Sequence, residues 1–219
     1  MAGTATRQFM NLATIKHVEF ELPVNAVDDP AWNQASPVVI NKYWNGMRAP
    51  DGRYLETRLL WSDSALYARF EARQDGPLII SEDPVLDQKT LGLWDRDVCE
   101  IFIAPDSENP GRYFEFEVAP TGEWVDLAIE FDGEIRKTDT AYHSGMTSFA
   151  SVENSSVISA IRLPWAAFGR RPLAGDIWRG NIFRCVGTGP DRGYLAWQPT
   201  LTTIPNFHVP GKFGSFRFE

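Results

Sequence analysis

The chain has 219 residues, 43% of them hydrophobic and 13% aromatic, with a formal net charge of -8 and a pI near 5.0. That is enough apolar material for a sizeable core, and it is not the composition of a disordered chain. The acidic balance argues against a nucleic-acid partner: phosphate binding needs a basic stripe, and the densest Lys/Arg cluster is the pair Arg170-Arg171.

In chain order, the first 19 residues read as an N-terminal extension, without the 7–15-residue apolar run of a secretory signal. No stretch approaches the ~20 apolar residues of a membrane span, so the chain reads as cytoplasmic, or as one whose leader lies elsewhere. Alternating apolar and polar runs follow between turn signals: 38–40, 53–61, 65–72, 98–103, 112–118, 123–131, 147–153, 157–163, 178–186, 194–198 and 214–218. Helix is confined to short pieces near 30–36 and 164–168, because 15 Pro and 17 Gly punctuate the sequence throughout. So many short strands predict an all-β fold, an antiparallel β-sandwich of jelly-roll or immunoglobulin-like type, and residues 1–219 are read as a single domain. The longest irregular segment, 74–93, stands just before Trp94 and is expected to wall a site. Cys99 and Cys185 are expected on core-facing strand positions, as small buried hydrophobes or as one bridge if their strands are neighbours.

The segment WDRDVCEIFIAPDSENPGRYFEFEVAPTGEWVDLAIEF, residues 94–131, is the most informative. Successive strand side chains point to opposite faces. Cys99, Ile101 and Ile103 therefore share one face and Glu100 looks away from it. On the next strand Phe114, Phe116 and Val118 point to the core while Glu115 and Glu117 face out. A carboxylate amid Ile and Phe is costly unless it is paired or faces a wet surface. Trp94 precedes the strand and need not be a core residue, unlike Trp32, Trp61, Trp124 and Trp165, which are expected in the core.

These residues resemble the central part of the family 9 carbohydrate-binding modules, the type associated with xylanases. NAVDDPAWNQASPV, TRLLWSDSALYARFEA, VISAIRLPWAAFG, DIWRGNIFRC and YLAWQPT are similar to the family's flanking segments, so that the resemblance runs from about residue 20 to residue 218. It implies a β-sandwich that binds a sugar or the end of a polysaccharide without catalysis, in a secreted setting, with calcium as a structural ion. It also implies a sugar held between two Trp rings. Trp94, six residues before Glu100, stands where the first ring does; Trp197 is the candidate for the second, with Trp178 and Trp44 as alternatives. An indole plane suits the C–H face of a sugar, and Glu and Arg suit vicinal hydroxyls. The expected ligand-binding set is therefore Trp94, Glu100, Arg69, Arg184, Trp197 and Glu117, with Glu100, Arg69 and Arg184 converging in one depression. The family's second strand often carries Arg or Asn for the sugar where this chain has Glu117 and Ala119.

Two readings from other classes stay open. Glu100 with Glu115 or Glu117 could form the acid and base of a glycosidase, or the chain could be an interaction domain that keeps the sandwich but has lost sugar binding; a structural salt bridge of Glu100 with Arg69 or Arg184 is compatible with sugar binding as well. His17, His143 and His208 lack metal spacing, and the acidic turns at 28–29, 95–97 and 106–109 match no EF-hand, so no metal ligand is assigned. No nucleotide or serine-hydrolase motif occurs.

Overall fold

A computed structural model describes residues 12–219. Among these, thirteen strands form the fold: β1 (Leu12–His17), β2 (Val38–Ile40), β3 (Leu55–Trp61), β4 (Ala65–Arg73), β5 (Val98–Ala104), β6 (Arg112–Val118), β7 (Trp124–Asp132), β8 (Ile135–Asp139), β9 (Thr147–Glu153), β10 (Ser156–Pro164), β11 (Ile177–Val186), β12 (Gly193–Ala196) and β13 (Gly214–Phe218). Helix is limited to short 3₁₀ turns, including Pro30–Gln34 and Trp165–Phe168. The eleven runs of alternation all correspond to strands. The pattern missed β8, whose residues are all exposed, and β1, which alternates too briefly to stand out.

Hydrogen bonding runs in the order β8-β7-β6-β5-β11-β13-β1-β3-β4-β10-β9, with β12 on β11 and β2 on β3. Neighbours are antiparallel except at β1, which lies parallel to β13 along residues 12–15 and parallel to β3 at residues 16 and 17. The sheet is thus mixed rather than strictly antiparallel. β1 belongs to it, so residues 12–17 of the stretch 1–19 read as an extension are part of the sheet, while residues 1–11 of that reading lie outside the described residues.

Alternation sorts the side chains into layers. Cys99, Ile101 and Ile103 of β5, Phe116 and Val118 of β6 and Ile182 of β11 meet Leu59, Ala68, Phe70, Val157 and Ile161 of β3, β4 and β10 in the main core, with Trp61, Trp165 and Trp178 at one end. The opposite face of β5, β6, β7 and β11 carries Phe102, Tyr113, Leu127 and Phe183. It is covered by Leu93, Phe207 and Phe213 from the long loops 74–97 and 197–213. A third cluster, with Trp32 and Tyr67, lies under residues 18–35. Trp32, Trp61 and Trp165 are buried as expected, whereas Trp124 is half-buried against the main core.

Trp32 anchors the third cluster by packing and by its indole N–H, which donates to the Ala26 carbonyl at 2.9 Å. Truncating a buried Trp leaves a cavity as well as losing transfer energy. Trp32→Ala should therefore cost about 3–5 kcal/mol of unfolding free energy in urea denaturation; a loss below 1 kcal/mol would show that residues 18–35 are dispensable to the fold.

Candidate functional site

The antiparallel register of β5 and β6 sets Glu100 directly opposite Glu117 and Phe102 opposite Glu115. All three carboxyls point away from the main core, as the alternation requires, yet loops roof that face and they are 2%, 3% and 0% exposed for Glu100, Glu115 and Glu117. One ligand oxygen from each lies within 4.8 Å of the others. Like charges facing across a strand pair repel, and desolvation disfavours each charged form. Burial, reinforced by the Glu115 charge, pushes Glu100 up to about 8. Burial lifts Glu115, and burial together with Glu100 and Glu115 lifts Glu117 well above the ordinary range. No N–H or O–H of the described residues reaches either Glu117 oxygen or Oε2 of Glu115. The Cys185 thiol donates to Glu100 Oε1 at 3.3 Å.

Above this floor is a cleft of about 360 Å³ walled by Trp94, Tyr194, Phe207 and His208, with Glu100 and Glu115 at its base and Arg136 at its rim. Trp94 is 39% exposed and lines the mouth of the cleft. Gly92, at φ 82°, makes the left-handed turn that leads into Leu93–Asp95 and brings Trp94 to the mouth. Arg192 fixes this turn from the other side: it donates to the Trp94 carbonyl at 2.5 Å and the Arg96 carbonyl at 2.9 Å while its guanidinium lies 5.3 Å over Tyr194. His208 shares a 2.8 Å hydrogen bond with the Tyr113 hydroxyl. Burial and Arg136 drive its pKa down to about 3, so its 4.0 Å approach to Glu115 is not an ion pair at neutral pH.

The structure brings together Trp94 and Glu100, with Glu117 sealed beneath, but not the rest of the expected set. Arg184 pairs across the sheet with Cys99 and so shares its face. There it donates to the carbonyls of Arg53 and Arg73 and to the Gln74 side chain, tying the start of the 74–97 loop to the sheet. The same register puts Cys185 on the Glu100 face, so the two free cysteines sit on opposite sides of the sheet and form no bridge. Arg69 is on β4, on the outer face of the other half of the sheet, bound to the Val27 carbonyl and Glu71. Trp197 stacks on Phe216 at 5.5 Å against the main core. Trp178 is a core residue, and Trp44 packs beside Tyr194 at 6.0 Å with its N–H on the Thr202 carbonyl. The convergence of Glu100 with Arg69 and Arg184 is therefore replaced by a cluster of carboxyls.

Sequence reasoning missed Tyr194, Phe207, His208, Arg136 and Arg192 as site residues. Tyr194 was within reach of parity once Arg184 is set opposite Cys99; Phe207 and His208 lie in a loop without periodicity. The acidic turns give no second ligand group: Asp97 accepts from the Gly187 and Ile79 amides, and Asp29 and Asp106 accept from amides two residues on. A larger cleft of about 550 Å³ lies along β6 to β8. Its wall carries the exposed pair Arg112–Glu130 and no buried polar group without a partner.

The carboxyl floor sets a pH dependence of stability. Glu100 has a folded pKa of about 8, above its ordinary 4.5, so its contribution is greatest at low pH and is lost as pH rises toward 8. His208, at about 3 against 6.5, works in the opposite sense but only below 6.5. In chelator-containing buffer the unfolding free energy should fall between pH 6.5 and pH 8, and Glu100→Gln should flatten that fall. A wild-type profile that rises through this window would show the carboxyls to be ionised and solvated.

A family model and solved structures place the chain among known proteins. The family model described as carbohydrate family 9 binding domain-like matches residues 24–218. Among solved structures, a candidate carbohydrate-binding protein of Bacteroides uniformis aligns with a TM-score of 0.74 at 17% identity over 95% of this chain and 99% of that one. A family 9 carbohydrate-binding module from Caldicellulosiruptor kristjanssonii aligns as its cellotriose complex (TM-score 0.66, 14% identity, 95% of this chain and 93% of that one). Its glucose complex aligns equally well (TM-score 0.65, 14% identity, 94% and 95%). Comparison with curated proteins gave no match. With the family model spanning nearly the whole sequence and the solved structures sharing its fold, this chain belongs to the carbohydrate family 9 binding domain-like family.

Proposed function

We propose that the chain is a single-domain, non-catalytic carbohydrate-binding protein that holds a sugar or an oligosaccharide end in the cleft beneath Trp94. The observation that carries this reading is the half-exposed Trp94 ring at the mouth of a cleft whose floor presents Glu100 and Glu115. An aromatic face takes the C–H face of a pyranose, and carboxyl oxygens take its hydroxyls, as donors when protonated and acceptors when ionised. Tyr194 and Phe207, rather than Trp197, supply the second aromatic wall. The Caldicellulosiruptor module binds glucose and cellotriose, so glucose and β-glucan ends are the ligands to try first.

The carboxyls favour binding over hydrolysis. A glycosidase sets an acid and a base or nucleophile on either side of the scissile bond, about 5–5.5 Å apart when retaining and 6.5–9.5 Å when inverting. Glu100, Glu115 and Glu117 instead all stand on the sheet side of the cleft, and Glu117 is sealed from it.

Calorimetric titration with glucose and cellotriose tests the proposal. Trp94→Ala should weaken binding by about 1–3 kcal/mol with the circular dichroism unchanged. Steady release of reducing sugar from β-glucan or xylan, abolished by Glu100→Gln, would replace binding with catalysis; unaltered affinity in Trp94→Ala would move the site elsewhere.

A further inference from the structure

We infer that Arg136 makes the cleft selective for acidic oligosaccharides, its guanidinium taking the carboxylate of a uronic-acid unit at the β8 end of the site. The inference rests on the reading of the cleft as a carbohydrate site and adds to it the class of sugar that the site prefers.

The first observation is where the hairpin of β7 and β8 puts its charges. The register sets Arg136 opposite Phe131 and Thr138 opposite Ile129. Ile129 and Phe131 belong to the face of β7 that borders the cleft, so Arg136 and Thr138 share that face, and both line the cleft wall. Lys137 falls on the other parity and pairs with Asp132 at 2.8 Å. The second observation is that Arg136 is idle. Its side chain makes no hydrogen bond and no ion pair with any described residue, whereas other arginines on this flank are engaged, Arg112 by Glu130 and Arg170 by Asp176. Its charge is nevertheless felt inside the cleft, where it holds down the pKa of His208 and opposes the rise of Glu115. A guanidinium left unpaired beside a cleft with aromatic walls is a ready donor for a ligand, since no internal partner has to be given up.

The charges around it select the ligand. Among the described residues Arg136 is the only Lys or Arg that lines the cleft, and Asp95, exposed beside Trp94, is the acid at the mouth. Two strands, β6 and β7, separate β8 from β5, so the two poles stand roughly 14 Å apart across the sheet. His208 is neutral, and burial raises Glu100 to about 8, so that it holds its proton at pH 6. An anionic group is therefore repelled at the Trp94 end and attracted at the β8 end, which places it on a sugar unit beyond the one stacked under Trp94. The guanidinium presents parallel N–H groups in one plane, the pattern that fits the two coplanar oxygens of a carboxylate. A single such fork suits a singly charged sugar acid; a phosphate ester, with more charge and a tetrahedral head, calls for several cations.

Calorimetric titration of the full chain at pH 6 compares cellobiose with its two C6-oxidised forms, which carry one carboxylate on the non-reducing or on the reducing unit. One of the two acids should bind about tenfold tighter than cellobiose, the scale of a charge-assisted bidentate contact that stays partly in water. That advantage should shrink as ionic strength rises from about 0.02 M to about 0.5 M, which screens an exposed pair and leaves a neutral sugar unaffected. Arg136→Gln should bring acid and neutral sugar to the same affinity and remove the salt dependence, and Arg136→Lys, which keeps the charge without the fork, should recover part of the preference. Cellobiose bound as tightly as both acids would overturn this inference and leave a site for neutral sugars. An acid preference that survives in Arg136→Gln would overturn it too, by assigning the carboxylate to another cation. Binding of none of the three sugars would instead overturn the carbohydrate reading of the cleft, and this inference with it.

Discussion

The cost of holding three carboxyls side by side on a roofed sheet face governs this molecule. Glu100 and Glu117 are direct cross-strand partners, and Glu115 is one pleat away on the same face. In a sheet of marginal stability such a pair would splay or slip register, since moving one strand by a residue would exchange each Glu for its apolar neighbour. Slippage is blocked from behind. Ile101 and Phe116 occupy the main core with no solvent exposure, and a slip would send them outward while bringing the carboxyls into the hydrocarbon. The apolar face of β5 and β6 thus supplies the free energy that keeps the polar face in an unfavourable arrangement.

The walls of the cleft depend on a separate set of interactions, most of them between side chains and carbonyls. Arg192 gathers the carbonyls of Gly187, Trp94 and Arg96, joining the loop that presents Trp94 to the strand that presents Tyr194. Arg184 does the same at the other end of that loop. An arginine with a planar fork of donors can satisfy several carbonyls at once, which a lysine cannot. Phe183 and Phe207 stack at 4.0 Å with 11° between planes, which seats the residue 197–213 loop on β11 and sets His208 beside Glu115. The site is therefore held by the sheet below and by arginine clamps and aromatic stacking at its sides.

Most of the fold was legible because strands announce themselves by period-two alternation, and the face assignments within β5 and β6 followed from it directly. The identity of Glu100 as a polar residue turned from the core, and of Trp94 as a surface aromatic, were legible for the same reason. What parity alone could not supply was the phase between strands. Both β5 and β11 carry a cysteine in an apolar run, and giving the two cysteines the same face was the simplest assumption; the register pairs Cys99 with Arg184 instead, which reverses every face assignment on β11 and takes Arg184 out of the site. Arg69 failed for a related reason, because alternation says that a residue faces out without saying of which half of the sheet. Phe207, His208 and Arg136 come from loops and an exposed edge strand, whose positions are set by tertiary packing that leaves no periodic trace.

The two glutamates of β6 have a further consequence for the selectivity of the proposed site. Where an arginine beside Glu100 would offer five fixed donors to sugar hydroxyls and neutralise the carboxylate, Glu115 and Glu117 offer acceptors only when ionised and repel one another when they are. In the proposed site a neutral sugar finds its donors elsewhere in the cleft, in the Tyr194 hydroxyl, in Arg136 or in carboxyls that carry protons. The charge state of the floor thereby decides which hydroxyl patterns are matched. A proton on Glu100 changes the donor count of the proposed site without moving a backbone atom, because the strands that carry the carboxyls are locked from the core side.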